Sequence, residues 1–188
     1  MPKQKLIVGL TGEKLAGKGT TAAYLAEKYN AGVFRFSQVL DEVLKKLYLP
    51  ITRENEIKLG LSLRQNFGED ILAKILFQDV KDEKADLIIV DGMRFREEAE
   101  MFSQLESFIL VYITAPIKIR FERMKNRTEK ADEKNMDFNK FKEIEEVSPT
   151  ETAIKATAKK AKVKIENIGT FEELYAKIEK EIIEKYYK

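Results

Sequence analysis

Short apolar runs alternate along the chain with longer segments in which apolar residues recur at helical spacing. The apolar runs predict five strands, at 6–10, 32–36, 87–90, 108–113 and 163–167. The longer segments predict helices near 18–29, 38–48, 53–66, 69–83, 96–105, 116–126 and 149–161, and a last one from Thr170, where Glu173 completes a capping box. Strands alternating with helices predict an α/β fold, a three-layer sandwich around a five-stranded parallel sheet.

The strongest motif follows the first apolar run and reads Gly12-Glu-Lys-Leu-Ala-Gly17-Lys18-Gly19-Thr20. Its frame, G-x-x-x-x-G-K between a buried strand and a helix, is the context that a phosphate-binding loop requires. Backbone amides and the positive end of the helix bind polyphosphate there, and Lys18 reaches the β- and γ-phosphates. We therefore expect the nucleotide to contact Gly12, Leu15, Ala16, Gly17, Lys18, Gly19, Thr20 and Thr21. Glu13, an acid beside an anion site, is expected to face solvent or a basic neighbour.

A carboxylate, Asp91, stands directly after the buried run 87–90. Open α/β sheets bind their ligands at the carboxyl ends of the strands, so Asp91 suits the Walker B position, next to the first strand. We expect Asp91 and Thr20 to hold Mg²⁺ through water, although Asp91 could instead cap the turn with Gly92. Arg94 is placed to bind an acceptor phosphate by a bidentate fork, or to pair with a nearby glutamate on the surface.

Three arginines, at 120, 123 and 127, fall on one face of the predicted helix 116–126 and its extension. Such a row suits a triphosphate, because phosphoryl transfer requires neutralisation of the γ-phosphoryl oxygens. We assign that task to Arg123 and Arg127, and a structural role to Arg120. The alternative is a solvated basic face that pairs with glutamates. The charged segment 125–148 contains few large apolar residues and predicts a lid or a solvated helical hairpin.

The ending Gly-Lys-Gly-Thr of the phosphate loop resembles that of adenylate kinase and related nucleoside monophosphate kinases. Asp91-Gly92-x-Arg94 resembles deoxynucleoside monophosphate kinases, and archaeal and bacterial proteins related to adenylate and dephospho-coenzyme A kinases. The resemblance covers nearly the whole chain and implies the strand order 2-3-1-4-5 in a single domain. It implies a core at 1–37, 69–124 and 149–188, an acceptor-binding helical insertion at 38–68 and a lid at 125–148. The C-terminal strand and helix resemble dephospho-coenzyme A kinase, which implies that Asn167 lies in the loop covering the adenine.

Two departures from the resemblance concern the phosphate loop and the acceptor. Lys14 and Leu15 stand where the kinases usually have proline and glycine. After the second strand, adenylate kinases usually read Gly-Asp-Met-Leu-Arg, whereas this chain reads Ser37-Gln-Val-Leu-Asp41. A carboxylate at 41 would repel a monophosphate. Either the acceptor is a different molecule, or other residues of the chain bind the acceptor phosphate. The expected acceptor residues are Ser37, Arg53, Arg64 and Arg94.

Composition narrows the available chemistry. The chain has no Cys and no His, which excludes thiolate nucleophiles, imidazole bases and zinc sites built on those ligands. Its 34 Lys and Arg nearly balance 32 Asp and Glu, whereas nucleic-acid binders usually carry a basic excess. The apolar runs are shorter than the roughly 20 residues of a membrane-spanning helix. We expect a cytoplasmic monomer or homodimer with no nucleic-acid or membrane partner.

The combined expectation is a P-loop kinase that uses ATP and Mg²⁺ to phosphorylate a small phosphorylated acceptor, a nucleoside or deoxynucleoside monophosphate. No histidine is needed, because such an acceptor is already ionised. One alternative is dephospho-coenzyme A kinase, whose hydroxyl acceptor requires a base near the second strand. The chain has Gln38 and, nearby, Asp41 in that place. The other, of a different class, is an ATP-binding switch or adaptor with no catalytic acceptor.

Overall fold

The predicted parallel sheet is present in the computed structural model, which describes residues 5–126 and 136–188. The strands are β1 Leu6–Thr11, β2 Gly32–Arg35, β3 Leu87–Met93, β4 Phe108–Thr114 and β5 Val163–Glu166. All four neighbouring pairs are parallel, in the order β2-β3-β1-β4-β5. The order 2-3-1-4-5 is therefore confirmed, with β1 beside β3 as the phosphate loop and Asp91 require.

Apart from α7, which lies in the segment expected to form a lid or a helical hairpin, the helices follow the predicted segments within a few residues at each end. They are α1 Lys18–Tyr29, α2 Phe36–Lys46, α3 Arg53–Phe67, α4 Ile71–Asp82, α5 Arg96–Phe102, α6 Ile117–Lys125, α7 Phe138–Val147, α8 Pro149–Ala158 and α9 Phe171–Ile178. After α9 the chain continues through a π-helical turn, Glu179–Ile183, and a last turn, Glu184–Tyr186. The capping box of Thr170 and Glu173 is formed, because each side chain accepts the other residue's backbone N–H.

Two apolar layers enclose the sheet because successive strand side chains point to opposite faces. Leu6, Val8 and Leu10 pack with α1 and the C-terminal helices on one face. Ile7 packs with α2, α4 and α5 on the other. In β3, the residues 87–90 are buried on both faces of the sheet, as the unbroken apolar run predicts. The carboxyl ends of β1, β2 and β3 therefore open together at one edge of the sheet, between the two layers.

A smaller apolar cluster joins α6 and α7 to the phosphate loop. Phe121, Met124 and Phe141 form its buried centre, and the side chain of Leu15 packs against it. Asp137 caps α7 by accepting the N–H of Lys140 at 2.8 Å. The described end of the segment expected to form a lid is thus a helix anchored on α6. Arg127 lies outside the described residues, and so does the rest of 127–135.

Membrane insertion was not expected from the short apolar runs. Within residues 5–126 and 136–188, no helix has the length and apolar character needed to span a bilayer.

Candidate nucleotide and acceptor site

The phosphate loop connects β1 to α1 through two glycines that the surrounding backbone requires. Gly12 has φ 147°, and a Cβ added there would lie 1.9 Å from the carbonyl oxygen of Ile113. Gly17 has φ 113° at the N-cap of α1, and its added Cβ would lie 2.3 Å from Nδ2 of Asn167. Both positions combine a left-handed backbone with close approach, which glycine alone accommodates without strain.

Leu15 occupies the position where the resembled kinases usually have glycine, and its backbone shows why glycine suits that place. Its φ is 64°, in the left-handed region. A non-glycine residue there costs about 1–2 kcal/mol. The side chain contacts the cluster of Phe121, Met124 and Phe141, so apolar packing offsets part of the cost.

Carbonyl oxygens on the outer side of the loop are held by side chains from α6 and the β5–α9 connection. Asn167 Nδ2 donates to the Ala16 carbonyl at 2.8 Å. Arg123 donates to the carbonyls of Leu15 at 3.1 Å and Asn167 at 3.0 Å. Arg123, predicted to neutralise the γ-phosphate, makes these contacts to loop carbonyls and does not line the cavity that Lys18 lines. Asn167 lies in the predicted loop and contacts the phosphate loop directly.

Arg120 is buried and serves the same scaffold. Its Nε donates to the Ala115 carbonyl at 3.0 Å, and its guanidinium reaches the Lys14 carbonyl at 3.2 Å. It also pairs with Glu145 of α7. The structural assignment of Arg120 therefore agrees with its contacts, and α7 is tied to the phosphate loop through this side chain.

Glu13 does not face solvent, because its side chain is buried and one carboxylate oxygen accepts the hydroxyl of Tyr112 in β4. The other oxygen has no hydrogen-bond partner within the described part of the chain. The alternative expectation, a basic neighbour, agrees with the attraction between Glu13 and Lys18, which raises the pKa of Lys18. Burial, together with the hydrogen bond to Glu13, raises the pKa of Tyr112 to about 12. The sequence offered no sign of this pair, since 99 residues separate the two partners.

Lys18 and Asp91 meet at the carboxyl edge of the sheet. Lys18 is half-buried, and its Nζ donates to the carbonyls of Gly12 at 2.6 Å and Glu13 at 2.9 Å. Burial lowers the pKa of Lys18 and raises the pKa of Asp91, while the attraction between the two charges opposes both shifts. The pair is thus held in a medium where a bound charge is weakly screened.

A hydrated Mg²⁺ fits the carboxylate of Asp91. Oδ1 of Asp91 is buried and accepts no hydrogen bond from the residues described. A water bound to the metal could donate the hydrogen bond that this oxygen lacks. Thr20 lies in the first turn of α1. No cluster of three or more acidic, His or Cys ligands occurs in the two described ranges. A metal here would therefore depend on water and nucleotide phosphates, which is how Mg²⁺ is commonly held.

A cavity of about 240 Å³ begins at Lys18 and Asp91 and extends between α2, α3 and the turn after β3. The part called here the polar end is formed by Lys18, Arg35, Asp91 and Arg94, since the charges of Lys18, Arg35 and Arg94 all act on Asp91. The lining also includes the polar Ser37 and Thr150, the charged Glu56, Arg64 and Glu98, and the apolar Phe36, Leu40, Ile57, Leu61, Leu72 and Phe95. Such a shape suits a small ligand with an anionic group and an apolar or aromatic body.

Of the predicted acceptor residues, Ser37, Arg64 and Arg94 line this cavity. Arg64 is held by Glu98, at 3.0 Å, and its guanidinium lies 4.6 Å from the ring centroid of Phe95. Arg53 begins α3, but its side chain is outside the described part. Asp41, from which repulsion of a monophosphate was expected, is not part of the cavity wall.

Sequence reasoning missed three residues of the site. Arg35 is the last residue of β2 and lines the cavity, and its place at a strand's carboxyl end was the available signal. Glu98 accepts the backbone N–H groups of Arg94 and Phe95 at 2.8 and 3.1 Å, as the third residue of α5. Glu151 at the start of α8 is buried with one oxygen unpartnered among the described residues, and burial raises its pKa.

Comparison with known proteins agrees with this architecture. The sequence profile of the AAA domain family matches residues 8–148. A UPF0200 protein of Methanocaldococcus jannaschii is 30% identical over 147 residues, which cover 76% of this chain and 73% of that protein. The chain belongs to the AAA domain and UPF0200 families. A UPF0200/UPF0201 protein of Archaeoglobus fulgidus is 29% identical over 92% of this UPF0200 chain. The match covers 53% of that relative, so the chain spans about half of the relative's length.

Shikimate kinases of low sequence identity are among the solved structures with the same fold. Shikimate kinase from Bacteroides thetaiotaomicron superposes with a TM-score of 0.65 at 13% identity, covering 93% of this chain and 97% of that one. Shikimate kinase from Aquifex aeolicus gives a TM-score of 0.52 at 19% identity, covering 92% and 94%. At this identity the likeness establishes a P-loop kinase fold.

Proposed function

We propose that the protein is an ATP- and Mg²⁺-dependent phosphotransferase whose acceptor is a small phosphorylated molecule, a nucleoside or deoxynucleoside monophosphate. One observation carries the proposal. The phosphate-loop lysine, Lys18, and the strand-end carboxylate, Asp91, lie at the polar end of the same cavity as Arg35 and Arg94. A donor phosphate on the loop and an anionic acceptor in the cavity would therefore meet beside Lys18.

The residues divide the work as follows. The loop amides and Lys18 bind the β- and γ-phosphates, for which Lys18 exchanges its bonds to the Gly12 and Glu13 carbonyls for phosphate oxygens. Asp91 and Thr20 would hold a hydrated Mg²⁺, and the charge neutralisation of the transferred group is the chemistry that this ion would supply. Arginine in the cavity holds the acceptor anion.

The reaction balances without a protein base. An acceptor phosphate oxygen forms a bond to the γ-phosphorus while the bond from that phosphorus to the β–γ bridging oxygen breaks, and ADP leaves. A monophosphate acceptor is already ionised near neutral pH, so no proton has to be removed first. Asp41, the carboxylate near the second strand that could act as a base, does not line the cavity, and Gln38 is a neutral amide that cannot take up a proton. This favours a phosphate acceptor over the hydroxyl acceptor of a dephospho-coenzyme A kinase.

We further propose that the protein acts in the cytoplasm as a monomer or homodimer, without a nucleic-acid or membrane partner. The near-balance of charge and the small volume of the cavity support a small-molecule role.

ADP release from Mg·ATP tests the proposal across a panel of ribo- and deoxyribonucleoside monophosphates and dephospho-coenzyme A, each against a no-acceptor control. We expect one class of acceptor to stimulate release, and Lys18→Ala and Asp91→Ala to abolish it. Lys45→Ala, which removes an exposed lysine on α2, is the matched control and should retain full activity. A flat panel with ATP still bound would favour the switch or adaptor, and absence of ATP binding would refute both.

A further inference from the structure

We propose that Arg35 is a specificity-determining residue that binds the phosphate of the acceptor beside Arg94. This inference rests on the proposed function and names the group that selects a phosphorylated acceptor. Arg35 is the last residue of β2, opposite Asp91 in the parallel register with β3. Its backbone is extended, with φ −128° and ψ 135°, at the N-cap of α2. The strand end thus presents Arg35 to the polar end of the cavity that Lys18 also lines.

Electrostatics place the Arg35 charge close to the reacting centre. Burial raises the pKa of Asp91, and the positive charges of Lys18, Arg35 and Arg94 oppose that rise. The side chain of Arg35 is exposed. It makes no hydrogen bond or ion pair with any residue in 5–126 or 136–188 whose side chain is described. Its guanidinium can therefore turn toward an incoming anion without breaking an existing contact.

Arg64, the other arginine of the cavity, is less suited to this task. Its guanidinium is paired with Glu98, whose side chain is only 2% exposed, so the two charges cancel as seen from the cavity. Glu98 also accepts the N–H groups of Arg94 and Phe95. Arg64 and Glu98 therefore act as positioning residues that fix the turn carrying Arg94.

Charge matching supports the assignment. A monophosphate carries about −1.5 to −2 near pH 7. Of the cavity's charged side chains, Lys18 serves the donor phosphates, Asp91 the metal, and Arg64 and Glu98 each other. Arg35 is a further guanidinium of this wall, to which Arg94 and, from α3, Glu56 also contribute. The guanidinium fork of Arg35 matches a phosphate anion and discriminates against an uncharged acceptor.

The test compares Arg35→Ala and Arg35→Lys with the matched control Arg96→Ala, which removes an exposed arginine of α5 that lies outside the cavity and pairs with Glu100. Steady-state kinetics use the monophosphate that stimulates ADP release most. For Arg35→Ala we expect the acceptor KM to rise about 10- to 100-fold, the scale of one charge-assisted contact, with the KM for ATP within about twofold. Arg35→Lys should recover part of the loss, because it keeps the charge but not the fork.

A binding experiment separates this inference from the proposed function. AMP, dTMP and the nucleosides adenosine and thymidine are titrated by calorimetry into the protein saturated with Mg²⁺ and a non-hydrolysable ATP analogue, which fills the phosphate loop. We expect a monophosphate to bind at least tenfold more tightly than its nucleoside, and Arg35→Ala to remove that advantage. Preferential binding lost in Arg35→Ala would support the Arg35 site even if no acceptor turned over. An unchanged acceptor KM, equal losses for acceptor and ATP, or no preference for the monophosphates would overturn it.

Discussion

The buried carboxylate of Glu98 joins two parts of the cavity wall, and its removal gives the sharpest test of the site's construction. It accepts three hydrogen bonds, from Arg64 at 3.0 Å and from the backbone N–H groups of Arg94 and Phe95 at 2.8 and 3.1 Å. The Arg64 side chain is 14% exposed and that of Glu98 2%, so water replaces these bonds poorly. Glu98→Ala leaves a guanidinium and two N–H groups without their acceptor.

The expected cost follows from that count. Removing one partner of a buried ion pair costs about 3–5 kcal/mol, because the remaining charge stays buried. The two backbone N–H groups also lose their acceptor. We include that cost in the same range instead of adding it, because all three hydrogen bonds end on one carboxylate. A loss of about 3–5 kcal/mol is about a fifth or more of the roughly 5–15 kcal/mol that stabilises a typical domain. With a urea m-value of about 2 kcal/mol/M, the unfolding midpoint should fall by about 2 M.

Urea unfolding followed by circular dichroism at 222 nm measures this loss in a double-mutant cycle with Arg64→Met. The double variant should be more stable than the sum of the single effects predicts, by roughly 2 kcal/mol, because it leaves no buried charge unpaired. Glu97→Ala, on the exposed face of the same helix, should change stability by less than about 0.5 kcal/mol. A Glu98→Ala loss below about 1 kcal/mol, or single effects that simply add, would refute the reasoning.

Four further substitutions test the backbone and the buried acid. Gly12→Ala should prevent stable folding, since its Cβ would lie 1.9 Å from a backbone oxygen of β4, whereas Gly19→Ala, with nothing within 4 Å, should leave the melting temperature nearly unchanged. Tyr48→Gly should raise the unfolding free energy by about 0.5–1 kcal/mol in urea, because Tyr48 has φ 57° and is 96% exposed; a loss would contradict this. Burial raises the folded-state pKa of Glu151, so the stability that its protonated form contributes is lost as pH rises through that pKa, above the ordinary carboxyl range. Glu151→Gln should therefore gain stability relative to the wild type as pH increases, and parallel pH profiles would exclude this assignment.

Local sequence patterns predicted the bounds of an element correctly where these bounds depend only on residues adjacent in the chain. The helix predicted at 18–29 is α1 from Lys18 to Tyr29, because a glycine turn and helical spacing act within adjacent residues. Strand β3 instead ends at Met93 rather than at residue 90, since pairing with β1 and β2 extends it beyond the apolar run. Helix α7 was not separable from its charged segment, because its apolar contacts are completed by Phe121 of another helix.

The sequence by itself determined the parallel α/β fold, the phosphate loop and the carboxylate at the end of a buried strand, because residue spacing and backbone preference are local properties. The strand order, which came from resemblance to known kinases, is also as predicted. Only the tertiary structure decided the partners of the charged groups. Arg123 contacts carbonyls more than 100 residues away along the chain, and Arg64 pairs with Glu98 across 34 residues. The interaction of two charges depends on their distance and burial in the folded chain, and a one-dimensional pattern contains neither.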